Sequence, residues 1–323
     1  MESAPFYDDI ADGPAGGSAH WLTASDGCRI RIGHWPAAAD SPARGTVLLF
    51  PGRTEYIEKY GRAAADLAAR GYATLTIDWR GQGLADRLLS DRRIGHVGRF
   101  TDYQKDVAAM VRAAEALDLP RPFHLLAHSM GGCIGLRALM ERLPVASCAF
   151  TGPMWGIYIA PTTRPAAWVL SWSGARLGLG HHLAPGTKPE TYVSTEPFAD
   201  NTLTRDAEMF AYMQHQLAEY PDLALGGPSL RWLNEALRET ARLARRAAPA
   251  LPCLTFLGTN ERIVDVPRIE ARMAHWPQGA LVPVQGGEHE VMMDTPETRK
   301  AVFDRMTAHF DAHAEATPPR QSA

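Results

Sequence analysis

A serine lies where the amino-acid sequence changes from a strand pattern to a helix pattern. Residues 127–132 read Ala-His-Ser-Met-Gly-Gly, directly after the apolar run 123–127 and directly before a helical pattern rich in Ala and Leu. A serine on a sharp turn between a strand and a helix has a strained backbone, so the residues two before and two after it must be small. Ala127 and Gly131 meet that requirement. The pattern predicts that Ser129 is a nucleophile, and the alternative is an ordinary serine at a helix start.

A histidine near the end of the chain is the best candidate for the base that such a serine needs. His289 lies in the Gly-rich run 285–290, after the last predicted strand and before the last predicted helix. A serine hydroxyl attacks an acyl group when a histidine accepts its proton and a carboxylate orients that histidine. With this kind of serine turn the three residues follow one another in the order Ser, acid, His. We therefore predict that His289 is the general base, and the alternative is a surface loop histidine.

Two carboxylates compete for the role of the acid. Glu261 and Asp265 both follow the predicted strand 253–258. Glu261 stands directly at the carboxyl end of that strand, where its side chain can reach across the sheet edge. Asp265 precedes Val266 and Pro267, and this placement is also explained by an N-cap on the next helix. The spacing favours Glu261 as the acid and leaves Asp265 as the alternative.

Acyl transfer also needs donors for the negative charge that develops on the carbonyl oxygen. Residues 51–55, Pro-Gly-Arg-Thr-Glu, follow the predicted strand 46–50 and can supply one backbone N–H. The second donor is expected from the residue after the nucleophile. We therefore predict that the backbone N–H groups of Arg53 and Met130 form the oxyanion hole. A further polar turn, 78–83, is better explained as loop bracing by Asp78 and Arg80.

The elements that must position these residues follow an α/β pattern. From residue 28 onward, short β-rich runs alternate with amphipathic helical runs, which predicts a mostly parallel sheet covered by helices on both faces. Several runs are continuously apolar, as expected for strands that are buried on both faces. The predicted strands are 29–35, 46–50, 73–78, 123–127, 146–150, 253–258 and 280–284, and the predicted helices are 59–70, 102–117, 132–143 and 297–312.

The alternation stops after residue 152, and the chain up to residue 245 is rich in aromatic residues without strand boundaries. This indicates a mostly helical insertion above the carboxyl ends of the strands, where open α/β sheets bind ligands. We predict a core over 19–152 and 246–315, a helical cap over 153–245, and disordered tails over 1–18 and 316–323. Cap aromatics such as Trp155 and Tyr158 are the candidate substrate contacts, although aromatics at helical spacing are more often core.

Composition excludes several other classes of protein. The 323 residues are 46% apolar and carry a net charge of −3, without a basic stripe that would bind nucleic acid. The four cysteines are far apart and show no metal-ligand spacing, which predicts buried free thiols of a reducing compartment. The predicted serine mechanism needs neither a metal nor an organic cofactor.

Neither an export signal nor a transmembrane segment is expected from the sequence. The first 18 residues have neither a basic region nor an apolar region of the kind found in secretory signals, which predicts a cytoplasmic location. The apolar stretch 166–179 is interrupted by Arg176 and is shorter than the ~20 residues that span a bilayer. We therefore expect no transmembrane segment. A peripheral contact of the cap with a membrane, and the oligomeric state, stay open.

Taken in order, the motifs carry a family resemblance. Residues 51–55, 78–83, 95–97, 127–132 and 286–289 resemble the monoacylglycerol lipase and lysophospholipase branch of the α/β hydrolases. The resemblance implies an α/β-hydrolase fold and hydrolysis of a lipid ester, with Ser129, an acid and His289 as the catalytic triad. In that family the acid stands three residues after the glycine that ends its strand, which is Glu261 here. The insertion in that family is a cap that lines an acyl-binding channel.

We therefore expect a serine hydrolase that acts on a lysophospholipid or a monoacylglycerol through an acyl-enzyme. One alternative is a short-chain carboxylesterase. An alternative of another class is a non-catalytic α/β-hydrolase that binds a small ligand, and the complete set of triad residues argues against it. An epoxide hydrolase or dehalogenase would have Asp in place of Ser129.

Overall fold

The computed structural model describes residues 1–38 and 42–315. The tail predicted over residues 316–323 lies outside the described residues. Within these described ranges there are nine strands: β1 (Glu2–Ser3), β2 (Ser18–Thr23), β3 (Arg29–Trp35), β4 (Gly45–Phe50), β5 (Tyr72–Asp78), β6 (Phe123–His128), β7 (Ser147–Thr151), β8 (Cys253–Gly258) and β9 (Gly279–Val284). The α-helices are α1 (Asp8–Ala11), α2 (Gly61–Ala68), α3 (Tyr103–Ala116), α4 (Ser129–Met140), α5 (Arg164–Arg176), α6 (Tyr192–Thr195), α7 (Ala207–Glu219), α8 (Leu230–Ala244), α9 (Val266–Met273) and α10 (Pro296–Ala312).

The strands form a single sheet in the order β1-β2-β3-β5-β4-β6-β7-β8-β9. The pairs β1·β2, β2·β3 and β3·β5 are antiparallel, and the pairs from β5 to β9 are parallel. The seven strands predicted from the sequence are all present, and their ends agree with the prediction to within one residue. The α/β prediction is therefore confirmed.

Helices cover both faces of the sheet because the central strands are apolar on both faces. All six residues of β4 are buried, and its neighbouring side chains point to opposite sides. Leu48 and Phe50 pack in a cluster with side chains of α3, α4 and α9. Val47 and Leu49 pack in another cluster with side chains of α2 and α10. A continuous apolar strand therefore corresponds here to a doubly covered strand.

The register of the parallel strands brings their carboxyl ends together. Phe50 at the end of β4 pairs with Ala127 near the end of β6, and His128 pairs with Thr151 at the end of β7. Because of this alignment, the loop after β4 and the start of α4 lie side by side. The carboxyl edge of the sheet is therefore where the loops predicted to carry chemistry converge.

The N-terminal segment differs from its prediction. The sequence predicts a disordered tail over residues 1–18, and this is wrong because β1 pairs with β2 and α1 buries Ile10 and Ala11. The short apolar side chains of this acidic segment find partners in distant parts of the chain. Ile10, for example, packs with Tyr56 and with side chains of α7. Such long-range contacts leave no periodic signal in the segment itself.

Between β7 and β8 the chain forms α5, α6, α7 and α8. Helix α5 packs against α8, and α7 packs on Tyr56 and Met293, which lie in loops at the carboxyl edge of the sheet. A bridge between Ile157 and Val264 ties the start of this helical segment to the loop after β8. The helical segment therefore lies against the loops at that edge. In the described part of the chain, no helix is both long and apolar enough to cross a membrane.

Candidate functional site

Ser129 occupies the tight junction between β6 and α4. Its φ is 48°, a left-handed value that a residue with a side chain adopts only when its surroundings enforce it. The backbone of α4 runs very close to β4 at this point, since a Cβ added to Gly131 would lie 2.1 Å from the backbone oxygen of Phe50. Because Gly131 lacks a side chain, α4 can start directly beside β4. The strained turn predicted from the sequence is present at Ser129.

His289 and Glu261 form a buried pair at the same edge of the sheet. The His289 Nδ1 and Glu261 Oε2 atoms are 2.6 Å apart, and the two side chains are 4% and 0% exposed. The other carboxylate oxygen of Glu261 accepts hydrogen bonds from the backbone N–H groups of Ile263 and Val264, at 2.7 and 3.2 Å. Burial alone would raise the pKa of Glu261, but His289 and these two amides outweigh it and lower that pKa. The carboxylate therefore stays ionised next to the imidazole.

Asp265, the alternative acid, has other partners. Its carboxylate accepts a 3.0 Å hydrogen bond from Arg164 Nη2 and lies 3.5 Å from Arg268 Nε. It stands at the N-cap of α9, but its side chain makes no capping hydrogen bond. The capping role considered for Asp265 is therefore wrong for the side chain, because the two arginines bind it instead. The structure brings His289 to Glu261 and joins Asp265 to the helical segment.

Ser129 lies at the junction of two cavities. A cavity of about 650 Å³ and a cavity of about 330 Å³ share Ser129, Arg53 and Ile263 in their linings, and His289 lines the smaller one. Ser129 and His289 therefore face one common space. With Nδ1 engaged by Glu261, the Nε2 atom of His289 is the nitrogen available to a second partner.

Side chains of the turn 78–83 hold the loop 51–55, which is predicted to supply an oxyanion donor. The Trp79 indole N–H donates to the Pro51 oxygen at 3.0 Å, and the Gln82 side-chain amide donates to the oxygens of Gly52 and Glu55. These contacts hold residues 51–55 beside Ser129. The Met130 N–H belongs to the first turn of α4, where backbone N–H groups have no acceptor within the helix.

The bracing interpretation of the turn 78–83 is confirmed. Asp78 accepts hydrogen bonds from the backbone N–H groups of Ile57 and Leu84 and from Arg31, each at 2.8 Å. Arg80 binds Asp106 through its guanidinium, with Nη2 to Oδ1 at 2.7 Å. The turn is therefore a support of the site and does not line either cavity next to Ser129.

The larger cavity is lined mainly by apolar side chains. Its lining combines side chains from the helical segment, chiefly α5 and α8, with loop residues: among them are Met154, Ile157, Ile159, Leu170, Leu230, Trp232 and Leu233. Trp155 and Tyr158, the predicted substrate contacts, are not in this lining. Trp155 is 3% exposed and stacks on Trp276, whereas Tyr158 is 61% exposed on the surface. The structure does not place these two side chains at the cavity, because Trp155 packs in the core and Tyr158 is exposed, whereas Ile157 and Ile159 are in the lining.

A buried charged cluster below the site was not foreseen from the sequence. The Lys59 ammonium lies 2.6 Å from Glu55 Oε1 and 2.5 Å from Glu290 Oε1, and His128 Nε2 lies 3.3 Å from Glu290 Oε2. Burial would raise the pKa of Glu290, but His128 and Lys59 lower it well below its usual range. Burial would lower the pKa of His128, but Glu290 and Glu55 raise it. The spacing of Glu55 and Lys59 and the neighbourhood of Glu290 to His289 were the only signals in the sequence.

In the described residues, Glu55, His128 and Glu290 are also the group whose ligand atoms converge as in a metal site, within 4.8 Å of one another. The Lys59 ammonium already contacts both carboxylates. A positive charge supplied by the protein therefore occupies the place where a cation would balance them. The cluster packs against the candidate site, since the His128 and His289 rings are 4.8 Å apart.

Comparison with known proteins extends these observations. A family model described as serine aminopeptidase, S33, matches residues 41–296. Lysophospholipase L2 of Escherichia coli strain K12 is 33% identical over 277 residues, covering 83% of this chain and 80% of that protein. Phospholipase YtpA of Bacillus subtilis strain 168 is 26% identical over 289 residues, covering 86% and 99% of the two chains.

A solved structure shows the same fold. A soluble variant of the monoglyceride lipase from Saccharomyces cerevisiae, in complex with a substrate analog, has a TM-score of 0.71 and 21% identity, covering 91% of this chain and 95% of that chain. The predicted α/β-hydrolase fold is therefore confirmed.

Proposed function

Since the chain belongs to the hydrolase family described as serine aminopeptidase, S33, we propose that it hydrolyses carboxylic esters of lipid type, lysophospholipids or monoacylglycerols. The observation that carries this proposal is the geometry of three side chains. The strained Ser129 shares a cavity with His289, and His289 is held by the ionised Glu261. The similarity to lysophospholipase L2, at 33% identity, supports the lipid ester as substrate.

In the proposed mechanism, the Ser129 hydroxyl attacks the acyl carbon while His289 Nε2 accepts its proton. Glu261 orients the imidazole and stabilises its charged form. The backbone N–H groups of Arg53 and Met130 stabilise the oxyanion, each donor contributing about 10²–10³ in rate. His289 then returns the proton to the leaving alcohol, and water hydrolyses the acyl-enzyme by the same route.

The apolar cavity supports an acyl chain as one half of the substrate. Its volume of about 650 Å³ and its mainly aliphatic lining suit a hydrocarbon chain, and Ser129 belongs to that lining. We propose that residues 153–245 form a cap that builds this cavity over the core. A short-chain ester would leave most of the cavity unfilled, so the lipid ester is favoured over the short-chain carboxylesterase.

We also propose that the cap contacts a membrane surface from which the lipid is taken up. Helix α5 and the chain after it expose large apolar side chains, and Leu170 belongs both to this surface and to the lining of the apolar cavity. Of the basic residues in this segment, Arg164 and Lys188 are bound by Asp265 and Glu196, and Arg176 lies over the exposed Trp172 ring. An exposed apolar surface of this kind suits a membrane interface.

A substrate screen tests the proposed function. Lysophosphatidylcholine, 1-monoacylglycerols and short p-nitrophenyl esters are offered to the protein, and release of fatty acid or p-nitrophenol is followed. Turnover of the long-chain esters with higher kcat/KM than short esters is the expected result. Binding of these esters without turnover would instead support a non-catalytic protein.

Replacement of the nucleophile gives the first prediction. Ser129→Ala removes the attacking oxygen, so kcat for ester hydrolysis should fall by about 10⁶. The exposed Ser194 on α6 offers a matched control, and Ser194→Ala should retain wild-type turnover. Hydrolysis by Ser129→Ala at a rate close to that of the wild-type protein would refute Ser129 as the nucleophile.

A further inference from the structure

The buried charged cluster below the candidate site is connected to each part of the proposed catalytic set through the chain itself. Glu290 directly follows His289, and His128 directly precedes Ser129. Glu55 ends the loop that is predicted to supply an oxyanion donor. The three segments that meet at the candidate site therefore each carry a member of the cluster.

Lys59 joins two of these segments through its ammonium group. The Nζ atom lies 2.6 Å from Glu55 Oε1 and 2.5 Å from Glu290 Oε1, and the side chain is 5% exposed. Burial would lower the pKa of Lys59, but Glu290 and Glu55 raise it, so the ammonium stays charged. Lys59 itself belongs to the single helical turn Ile57–Tyr60. One cation is thus shared by the loop after β4 and the loop after β9.

The Glu55 carboxylate carries this restraint to the backbone of the oxyanion loop. Its Oε2 atom accepts hydrogen bonds from the backbone N–H of Gly52 and from the Tyr60 hydroxyl. Gly52 directly precedes Arg53, whose backbone N–H is the proposed oxyanion donor. Since Lys59 binds the other oxygen, the carboxylate is held at both ends. The position of the peptide between Gly52 and Arg53 therefore depends on where Lys59 holds the carboxylate.

Glu290 carries the same restraint to the loop of the proposed general base. Its side chain binds Lys59 and lies 3.3 Å from His128 Nε2, and its backbone N–H donates to the Leu203 oxygen at 2.8 Å. Glu290 and His289 share a peptide bond, so these contacts restrain the backbone that carries the imidazole. The side chain of Glu290 thus determines where the loop of His289 stands relative to Lys59.

Stability alone does not explain a buried group of charges. Desolvation of buried ions is costly, and a buried ion pair is often no more stabilising than apolar side chains of the same volume. Charged hydrogen bonds add direction, since an ammonium that contacts two carboxylates permits few arrangements. Acyl transfer is sensitive to direction, because a displacement of about 1 Å can cost about 100-fold in rate. A group of fixed charges beside the reacting residues therefore has a kinetic consequence.

We propose that Lys59 is a positioning residue of the hydrolytic reaction. Through Glu290 it fixes the loop of His289, and through Glu55 it fixes the oxyanion loop. A single ammonium thereby sets the distance between the general base and the oxyanion donor on either side of Ser129. Lys59 lines the smaller cavity, but its ammonium is bound by the two carboxylates, so it acts through them and not on the substrate. This inference rests on the proposed ester hydrolysis and adds a residue to it.

Steady-state kinetics of Lys59→Met with p-nitrophenyl esters test the inference. Met has a similar shape without the charge, so the restraint on both loops is lost. We expect kcat to fall roughly 10- to 100-fold, as for a displacement of the reacting groups. KM should stay close to the wild-type value, because the apolar cavity proposed for the acyl chain is unchanged. The control Arg137→Met removes the cation of another buried ion pair, with Glu239, and should keep the wild-type kcat.

A double-mutant cycle shows whether Lys59 acts through Glu290. Glu290→Gln alone should also lower kcat, and the double variant Lys59→Met with Glu290→Gln should lose no more than the more affected single variant. The reason is that both substitutions remove the same restraint, so their effects are not additive. The double variant buries one carboxylate fewer without a cation, so it keeps the test possible if Lys59→Met does not fold. Losses that multiply in the double variant would overturn the proposed link.

Labelling with a fluorophosphonate separates this inference from the proposed function. The reagent reacts with an activated serine, and the reaction depends on the same base and oxyanion donors without requiring the lipid substrate. Labelling of Ser129 in Lys59→Met should slow in proportion to kcat. A wild-type kcat and labelling rate in Lys59→Met, or an equal loss in Arg137→Met, would overturn the inference while ester hydrolysis stands. A wild-type protein that neither hydrolyses esters nor reacts with the reagent would instead refute the proposed function.

Discussion

At the scale of residues, the His289 imidazole connects the carboxylate of Glu261 with the cavity that Ser129 lines. His289 is nearly buried, has Glu261 on its Nδ1 side at 2.6 Å, and lines the cavity of Ser129. The neighbouring Glu290 belongs instead to the cluster around Lys59. Adjacent residues in the chain thus serve two separate ion systems, because successive side chains of this loop point in different directions.

The choice of the acid gives a prediction at this scale. Glu261→Gln keeps the shape of the side chain but removes its charge, so the orientation and charged form of His289 lose their support. We expect kcat to fall by about 10⁴, as for the corresponding change in other triads. Asp265→Asn is the matched control and should change kcat little, because Asp265 binds Arg164 and Arg268. A larger loss in Asp265→Asn than in Glu261→Gln would reverse the assignment.

At the scale of elements, the approach of α4 to β4 determines the shape of the candidate site. The helix begins at Ser129 itself, three residues earlier than the helix predicted from residue 132. The sequence pattern placed the start at the second of the two glycines, Gly132, whereas in the structure both glycines lie inside the first turn. This early start directs the first N–H groups of α4 toward the loop after β4, where the oxyanion is proposed to lie.

A substitution at the contact between these elements should be destabilising. The Cβ introduced by Gly131→Ala would lie 2.1 Å from a backbone oxygen of β4, which cannot move without disturbing the sheet. We expect the free energy of unfolding to fall by about 3 kcal/mol, measured by urea denaturation. In the control Gly135→Ala the nearest atom is a side-chain methyl of Leu125 at 3.0 Å, which can shift, so a smaller effect is expected. Equal stabilities of the two variants would contradict the proposed close contact.

The exposed apolar surface of the helical segment gives a second prediction at this scale. Trp172 and Leu177 are 48% and 73% exposed. If this surface enters a membrane interface, Trp172→Ser combined with Leu177→Ser should weaken binding to vesicles of phosphatidylcholine and phosphatidylglycerol on the order of 100-fold. Sedimentation with vesicles measures it. Leu88→Ser, at an exposed leucine outside this segment, should bind as the wild-type protein does, and unchanged binding of the double variant would refute the proposed contact.

At the scale of the whole molecule, buried charged residues lie beside the apolar clusters on the two faces of the sheet. The cluster of Glu55, Lys59, His128 and Glu290 joins the loop after β4, the end of β6 and the loop after β9. Lys59 and Glu290 are 231 positions apart in the chain. The cluster therefore forms only when β4, β6 and the loop after β9 have come together, and its charges should make the stability of the fold depend on pH.

The direction of that dependence follows from the lowered pKa of Glu290. The native carboxyl has a lower pKa than the unfolded one, so its contribution to stability is present above the unfolded pKa of about 4.3 and is lost as the pH falls. From about pH 5 to about pH 3.5, the free energy of unfolding of the wild-type protein should decrease more steeply than that of Glu290→Gln. Urea denaturation at both pH values measures this. Glu270→Gln, at an exposed site, should keep the wild-type slope, and an equal slope in Glu290→Gln would show that the buried carboxylate does not contribute.

The sequence alone determined the α/β pattern, the seven strands from β3 to β9 without β1 and β2, and the strained serine turn. These features depend on local signals, namely apolar runs, small residues around Ser129 and the order of the motifs along the chain. Local sterics and burial on both faces of a strand act over a few residues, so a short window of sequence is enough to indicate them.

The tertiary structure decided what depends on distant parts of the chain meeting. It brought Glu261 to His289 and left Asp265 with Arg164, and it lined the apolar cavity with Ile157 and Leu170 instead of the predicted Trp155 and Tyr158. It also paired the N-terminal strand β1 with β2. Such outcomes depend on direction and distance between side chains that are far apart in the chain, and neither residue type nor spacing specifies them.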